Sequence, residues 1–229
     1  MNGAIHYTLV RSRRKTVSIH ITKDAAVEVR APLKAPKSVI DRFVTSKEKW
    51  IRTNIEEKAA RIYVRAAFAL NYNSGFTLFG CDYPIAAGKS RGVSFDGVNA
   101  IVPPGLGPDD IKRSVILLYR AIARDILTER VMYFARLIGV RPAGIRITGA
   151  KTRWGSCSGK NNVNFSWRLV MADAVAVDYV VVHELAHIKE HNHSPRFWDI
   201  VKRILPDYKA RQKQLKLTQK KLSAEDWDE

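Results

Sequence analysis

Histidines are concentrated in one short stretch of the chain, where their spacing suits metal binding. The chain has six histidines, and four of them fall within residues 183–193: His183, His187, His191 and His193. An α-helix turns once every 3.6 residues, so the first two stand on one face and can place ring nitrogens about 2 Å from a single ion. Glu184 lies about 100° around the helix axis, where its carboxylate can reach a metal-bound water without being a ligand. The stretch 183–187 (HELAH) therefore predicts a hydrolytic zinc centre with Glu184 as general base.

A chance occurrence of this pattern on a protein surface is the alternative. The preceding residues, Ala174–Val182, are mostly apolar, which argues against chance. Such a run predicts a buried helix, and a buried pair of imidazoles needs a partner.

The third ligand is expected to follow the helix. A catalytic zinc ion takes three protein ligands and keeps one position for water. His191 continues the helical stripe, but three ligands along one straight helix would span about 12 Å, which is too far for one ion. Asn192 and Pro195 are helix stop signals. We therefore expect the chain to turn there and favour His193 over His191 as the third ligand.

Further motifs accompany the histidines and together resemble a known family. They are Thr152–Cys157 (TRWGSC), Asn164–Leu169 (NFSWRL), Asp178–His187 (DYVVVHELAH) and Asn192–Trp198 (NHSPRFW). In this order they resemble the YgjP-like metallopeptidases, a family similar to the WLM and SprT groups of zincins, most closely over residues 150–200. The resemblance implies a zinc-dependent hydrolase with His183, His187 and His193 as ligands and Glu184 as catalytic base.

The same histidine spacing is found in metzincins, which have Gly between the second and third histidines. Glu190 stands at that place in this chain. The sequence therefore does not resemble the metzincin subgroup.

The N-terminal half of the chain reads as strands with an intervening helical region. Polar and apolar residues alternate between Ile5 and Ala31, which predicts antiparallel strands. The pattern over Ser38–Tyr63 is typical of one long helix or two shorter ones. Strands are expected again at Phe76–Ile85 and Val93–Val102, with a hairpin turn at Asp96-Gly97.

The C-terminal half is expected to carry the chemistry. A long helix is predicted from Asp109 or Asp110 to just before Gly139, followed by a strand at 145–148. A β-hairpin should then turn at 158–161 and return along Asn164–Leu169. The sequence thus predicts an α+β fold, with a strand-rich region containing a helix at 1–105, a zincin-like catalytic domain with an active-site helix and β-hairpin at 106–212, and a polar tail at 213–229.

The predicted hairpin suggests a cradle for substrate. A strand edge beside the metal can bind an extended peptide through main-chain hydrogen bonds. Trp154, Asn164 and Arg168 are then candidate substrate contacts, although a Trp beside Gly also suits a core position. Tyr179, Arg153 and Arg168 are candidate donors to the oxyanion.

Composition limits the remaining possibilities. The chain has 39 Lys plus Arg against 22 Asp plus Glu, a net charge of +17, which attracts polyanions such as nucleic acid or nucleotides unless it serves only as a solvated surface. No signal peptide and no apolar run of bilayer length are found, so we expect a cytoplasmic protein without membrane contact. Cys81 and Cys157 are expected to be free thiols, with Cys157 as an alternative nucleophile or fourth ligand.

Three functions are compatible with the sequence. The first is a zinc metallopeptidase acting on proteins or peptides, and the second is a metal-dependent hydrolase of nucleotide phosphoanhydrides, for which no Walker-type glycine loop is found. The third is a basic protein associated with nucleic acid whose zinc is structural. The intact Glu184 and the lack of an evident fourth ligand argue against the third.

Overall fold

The computed structural model describes residues 4–89 and 92–228. Contacts within the chain divide it into two compact units, one made of the residues up to Phe68 with Ala224–Asp226 and the other of Ala69–Ser223 with the residues from Trp227 onward. Both units combine helices and strands, so the fold is α+β, as the sequence predicts. The boundary that the sequence suggested after residue 105 lies within the second unit. Of the helices in the described residues, none is long and apolar enough to cross a membrane.

The first unit contains a three-stranded sheet and two helices. The strands are β1 (Thr8–Ser12), β2 (Ser18–Ile21) and β3 (Val27–Pro32), and the helices are α1 (Lys37–Ser46) and α2 (Glu48–Ala66). The sheet order is β1-β3-β2. The expected antiparallel pairing is correct for β2 and β3 but wrong for β1, which runs parallel to β3. The reason is that the chain reverses direction twice between β1 and β3.

The core of this unit follows from residue spacing. Apolar side chains at every second position of β3 share one face of the sheet and pack against those of the two helices. The buried residues are Val27, Val29, Ala31, Ile40, Val44 and Ile51. The sequence allowed either one long helix or two shorter ones over Ser38–Tyr63. The structure has two helices, which meet at Lys47.

The second unit begins with a four-stranded sheet. Its strands are β4 (Gly75–Leu78), β5 (Cys81–Ala87), β6 (Ser94–Phe95) and β7 (Ala100–Val102), in the order β4-β5-β7-β6. The predicted turn at Asp96-Gly97 joins β6 to β7. The Asp96 carboxylate accepts hydrogen bonds from the backbone N–H groups of Val98 and Asn99.

A long helix, α3 (Pro108–Ile138), supports the remainder of this unit. Its ends match the prediction because both carry strong local signals: Pro108 occupies the first turn, and Gly139 closes the helix at a φ of 71°. A second three-stranded sheet follows, formed by β8 (Gly144–Thr148), β9 (Gly155–Cys157) and β10 (Asn162–Ser166) in the order β8-β10-β9.

Strand β10 ends earlier than predicted. Residues Trp167–Met171 form a 3₁₀ helix instead of continuing the strand to Leu169. The Ser166 side chain accepts the backbone N–H of Arg168, which caps this helix and turns the chain away from the sheet.

Three helices complete the unit: α4 (Ala174–Ala186), α5 (Pro195–Ile204) and α6 (Tyr208–Leu222). As expected, α4 is mostly buried; it contacts α3, α5, α6 and β9. Helix α4 ends at Ala186, before the predicted stop at Asn192. After Ala186 the chain tightens into a turn, in which the N–H groups of Ile188 and Lys189 bond to the carbonyls three residues back. The Lys189 side chain also donates from Nζ to the carbonyl of Ile138 at the end of α3, at 2.7 Å.

The segment 213–229, which the sequence suggested as a polar tail, contains most of α6. Three of its apolar residues are buried, namely Leu215, Leu222 and Trp227. A narrow apolar stripe on an otherwise charged helix is enough to hold it against the protein.

An ion-pair network holds α3, α4 and α6 together. Arg130 of α3 donates two hydrogen bonds of 2.7 Å to the carboxylate of Asp178 in α4. Arg211 of α6 lies 3.9 Å from the same carboxylate, donates to the carbonyl of Val175 at 3.1 Å and pairs with Asp207 at 2.9 Å. The side chain of Asp178 is only 18% exposed, so solvent screens this network weakly.

We expect Asp178→Ala to lower the free energy of unfolding by about 2 kcal/mol, because it leaves the half-buried guanidinium of Arg130 without its acceptor. Urea denaturation measures this effect. As a control, Glu57→Ala removes a partner of the exposed Arg61 at 3.7 Å and should cost less than about 1 kcal/mol. Equal costs for the two substitutions would show that the Asp178 network does not stabilise the protein.

Candidate metal centre

The structure brings three of the predicted histidines together. His183 lies in α4, His187 directly follows its last residue, and His193 lies in the loop before α5. One candidate ligand atom from each ring lies within 4.8 Å of the other two. His191 is not part of this cluster. The turn after α4 therefore brings His193 back beside His183 and His187, which is the arrangement expected if His193 is the third ligand.

Helix α5 positions the loop that carries His193. The Ser194 side chain caps α5 by accepting the backbone N–H of Phe197. The Phe197 ring lies 4.5 Å from the ring of His187, and Trp198 stacks on His193 with centroids 5.7 Å apart. The motif NHSPRFW thus provides a histidine, a helix cap and two aromatic rings that hold the histidines in place.

The ring nitrogens are arranged in a way that suits a metal ion. Nε2 of His193 lies 3.1 Å from Nε2 of His183. Two nitrogens bound to one tetrahedral zinc ion at about 2.0–2.1 Å would be about 3.4 Å apart. Nδ1 of His187 lies 3.1 Å from the carbonyl oxygen of Glu190, which can only accept, so this nitrogen carries the proton and Nε2 is left for a metal.

Burial keeps the first histidine in the form that binds metals. Desolvation, followed by the neighbouring rings of His187 and His193, lowers the pKa of His183 to about 4. The ring is therefore neutral at pH 7, as a ligand must be. Its Nδ1 is buried without a hydrogen-bond partner among the described residues, a cost that a metal bond to the same ring would offset. The three side chains thus fit a zinc ion.

Glu184 lies next to His183 in the sequence, and its carboxylate is buried. It is 7% exposed, and burial raises its pKa to about 7 against the opposing effects of Arg153 and of a hydrogen bond from the backbone N–H of Cys157. A carboxylate with such a pKa can exchange a proton near neutral pH.

Gly155 of β9 is needed for this arrangement. A Cβ atom at that position would lie 2.6 Å from Cγ of Glu184 and 2.9 Å from its Oε1. Only glycine lets the strand approach the carboxylate this closely, which explains the Trp-Gly pair in the TRWGSC motif.

We expect Gly155→Ala to reduce the hydrolytic activity about 10²-fold at unchanged zinc content, because the new methyl group displaces the Glu184 carboxylate. The measurement compares kcat/KM with bound zinc per chain. Gly159→Ala in the same hairpin is the matched control, since a Cβ there meets nothing within 4 Å. Full activity of Gly155→Ala would show that the position of Glu184 is not critical.

A cavity of about 280 Å³ opens beside the centre. On the side of the hairpin and α4 it is lined by Trp154, Gly155, Tyr179, Val180, His183 and Glu184. The base and one predicted ligand thus face the same space, together with Trp154, one of the three predicted substrate contacts.

The other two predicted substrate contacts do not line this cavity. Asn164 is held within the sheet, where its side-chain amide lies 3.3 Å from Oγ of Ser156. Arg168 is buried, and its guanidinium donates to the carbonyls of Gly149 and Trp227. Arg168 therefore satisfies backbone groups within the protein.

Sequence reasoning missed the wall that α6 contributes to the cavity. This wall consists of Gln212, Leu215, Lys216 and Gln219. Their spacing of three, four and seven residues is that of one helix face, a signal that could have been read from the sequence.

The two cysteines are free thiols, as expected. Burial and the neighbouring Glu184 raise the pKa of Cys157, which keeps this thiol protonated at neutral pH. A protonated thiol is a poor nucleophile. Cys157 contacts Glu184 through its backbone N–H, which donates a hydrogen bond to the carboxylate. Its thiol lies near the carbonyl of Ser158.

The chain is similar to known metallopeptidases. The family model of the YgjP-like metallopeptidase domain matches residues 15–218. No curated protein matches the chain. Among solved structures, the metallopeptidase zymogen of Pyrococcus abyssi abylysin is 21% identical with a TM-score of 0.37, covering 39% of this chain and 90% of its own. The metallopeptidase zymogen of Methanocaldococcus jannaschii jannalysin is 23% identical with a TM-score of 0.36, covering 41% and 95%.

The family match extends over most of the chain and includes the histidine cluster, Glu184, the β9–β10 hairpin and most of α6. The chain belongs to the YgjP-like metallopeptidase family.

Proposed function

We propose that the protein is a zinc-dependent peptidase in which His183, His187 and His193 hold the ion and Glu184 is the general base. The observation that carries this proposal is the common cavity, because His183 and Glu184 line it together. A substrate bond in this cavity would meet both the metal and the base.

The residues of the chain divide the chemistry between them. A zinc ion held by His183, His187 and His193 would lower the pKa of a bound water to about 7 and would polarise a carbonyl oxygen. Glu184, with its raised pKa, accepts the proton of the attacking water and returns it to the departing amine. The hydrogen bond from the Cys157 N–H orients the carboxylate for both transfers.

Strand β9 supports an extended peptide as the substrate. It lies at the edge of its sheet. Trp154 and Ser158 direct their backbone groups to β10, so the alternate residues Gly155 and Cys157 direct theirs to the open side, next to Glu184. The N–H of Cys157 is engaged by Glu184, so a substrate strand added along this edge would bond to the remaining main-chain groups of Gly155 and Cys157 beside the catalytic centre.

Tyr179 is the best supported donor to the oxyanion. Its ring lines the cavity with His183 and Glu184, and burial raises the pKa of its phenol, which keeps the proton on the oxygen at neutral pH. Arg168, one of the alternatives, is occupied by backbone carbonyls.

The cavity favours a peptide over a nucleotide triphosphate. Among the described residues that line it, Lys216 alone carries a fixed positive charge. A triphosphate is usually bound by several cations or by a glycine-rich loop.

The proposal is tested with the zinc-loaded full chain and three substrates: an unfolded protein, the same protein on DNA, and nucleoside triphosphates. Mass spectrometry should detect new peptide termini that disappear on removal of zinc by a chelator. The net charge of +17 supports faster cleavage of the DNA-associated substrate at low salt. Release of pyrophosphate or phosphate without peptide cleavage would overturn the peptidase proposal.

A further inference from the structure

The cavity beside Glu184 has a second wall that takes no part in water activation. Gln212, Leu215, Lys216 and Gln219 of α6 form this wall, and Trp154 and Tyr179 are among the other residues that line the cavity. The cavity therefore continues from the reacting centre toward α6, into space that the scissile bond itself does not need.

Part of the lining of this space is apolar. Leu215 and Val180 are 7% and 3% exposed, so their side chains are fixed by packing. The side chain of Gln212 hydrogen-bonds to Tyr179 and is therefore engaged within the wall. Apolar walls with a few fixed polar groups are typical of sites that bind an uncharged group.

Helix α6 is anchored at both ends, so its wall is fixed in place. Near its start, Arg211 bonds to Asp207 and to the carbonyl of Val175. Near its end, Lys221 donates to Oγ1 of Thr77 at 3.2 Å and lies 3.6 Å from Asp82. A pocket bounded by anchored elements is preformed and needs little ordering when it is filled.

The charges around the space do not select a charged occupant. The lining holds one acidic and one basic side chain, Glu184 and Lys216, so it gives no net preference for either sign of charge. A charged group would lose part of its hydration on entering, which costs free energy. An uncharged side chain avoids this cost.

We propose that this cavity is a specificity pocket that receives a large uncharged side chain of the substrate, aromatic or aliphatic, adjacent to the scissile bond. The proposal rests on the peptidase function proposed above. The cavity of about 280 Å³, which the rings of Trp154 and Tyr179 help to line, has room for such a side chain. Leu215 and Gln219 are then specificity-determining residues.

The test uses the zinc-loaded full chain and peptides that differ at one position, which is Phe, Leu, Ala, Asp or Lys. Mass spectrometry locates the cleaved bond, and kcat/KM is measured for each peptide. Phe and Leu should exceed Ala by at least about 10-fold, and Asp and Lys should fall below Ala.

Two variants alter the pocket in opposite ways. Gln219→Trp should fill it and lower kcat/KM for the Phe peptide at least about 10-fold, with little change for the Ala peptide. Leu215→Ala should enlarge it and weaken the preference for Leu over Ala. Leu217→Ala is the matched control, since this residue of the same helix is 58% exposed and does not line the cavity.

The outcomes separate the pocket from the reaction. Cleavage with the same preferences in wild type, Gln219→Trp and Leu215→Ala would overturn the pocket while leaving the peptidase intact. Absence of cleavage of every peptide and of unfolded protein by the zinc-loaded wild type would overturn the peptidase function and the pocket with it. Loss of preference in Gln219→Trp alone still supports the pocket if Leu215→Ala fails to fold.

Discussion

Glu184→Gln is expected to lower peptide hydrolysis by about 10³-fold while zinc stays bound. The amide keeps the size of the carboxylate and the hydrogen bond from Cys157 can be retained, but it cannot accept the proton of the attacking water. Removal of a general acid and base costs about 10²–10⁴-fold. Because the substitution removes an interaction with the reacting atoms, kcat should fall and KM should change little.

The matched control for this substitution is Glu190→Gln. It removes the same charge close to the histidines, but the Glu190 side chain does not line the cavity. Its kcat should stay within about threefold of wild type. Equal losses in both variants would indicate that only the local charge matters and would remove Glu184 from its role as base.

His193→Ala is expected to lower zinc affinity by more than the roughly 10–100-fold that loss of a hydrogen-bond partner outside the ligand set costs. The cluster would keep only the imidazoles of His183 and His187, and two ligands do not make the three-ligand set of a catalytic zinc site. Hydrolysis should fall with zinc occupancy. Competition with a chromophoric chelator at pH 7 measures the affinity.

His191→Ala provides the comparison, because this exposed histidine lies two residues earlier and outside the cluster. Its zinc affinity should equal that of wild type. If His191→Ala lost zinc and His193→Ala kept it, the third ligand would be His191 and not His193.

Local signals explain which parts of the fold could be predicted from the sequence. The ends of α3 are predictable to within two residues because Asp109 or Asp110 near its start and Gly139 after its end are local signals, and the structure adds Pro108 in the first turn. Helix geometry alone predicts that His183 and His187 lie on one face and that Glu184 lies beside them. The turn that brings His193 back was also predicted, although the helix stops at Ala186 instead of Asn192.

Long-range contacts explain the parts that could not be predicted. The parallel pairing of β1 with β3 arises because β3 lies between β1 and β2 in the sheet, and residue alternation does not contain that information. Helix α6 looked like a polar tail because only a narrow stripe that includes Leu215 and Leu222 is buried. Its part in the cavity depends on packing against α4, far away in the sequence.

Side-chain roles were harder to predict than side-chain positions. Arg168 lies in the expected motif, but its guanidinium satisfies the carbonyls of Gly149 and Trp227, one of them 59 residues away. Gly155 is part of the TRWGSC motif, but the steric need for glycine at this position depends on the close approach of Glu184. In both cases the partner is distant in sequence, so a local sequence pattern does not predict the contact.

The most direct test of the metal centre is zinc K-edge X-ray absorption on the zinc-loaded full chain. We predict a four-coordinate ion with three imidazole nitrogens at about 2.0–2.1 Å, one oxygen from water and no sulfur, and one imidazole fewer in His193→Ala. A sulfur scatterer at about 2.3 Å, which would place Cys157 in the ligand set, or an unchanged imidazole shell in His193→Ala would contradict this centre.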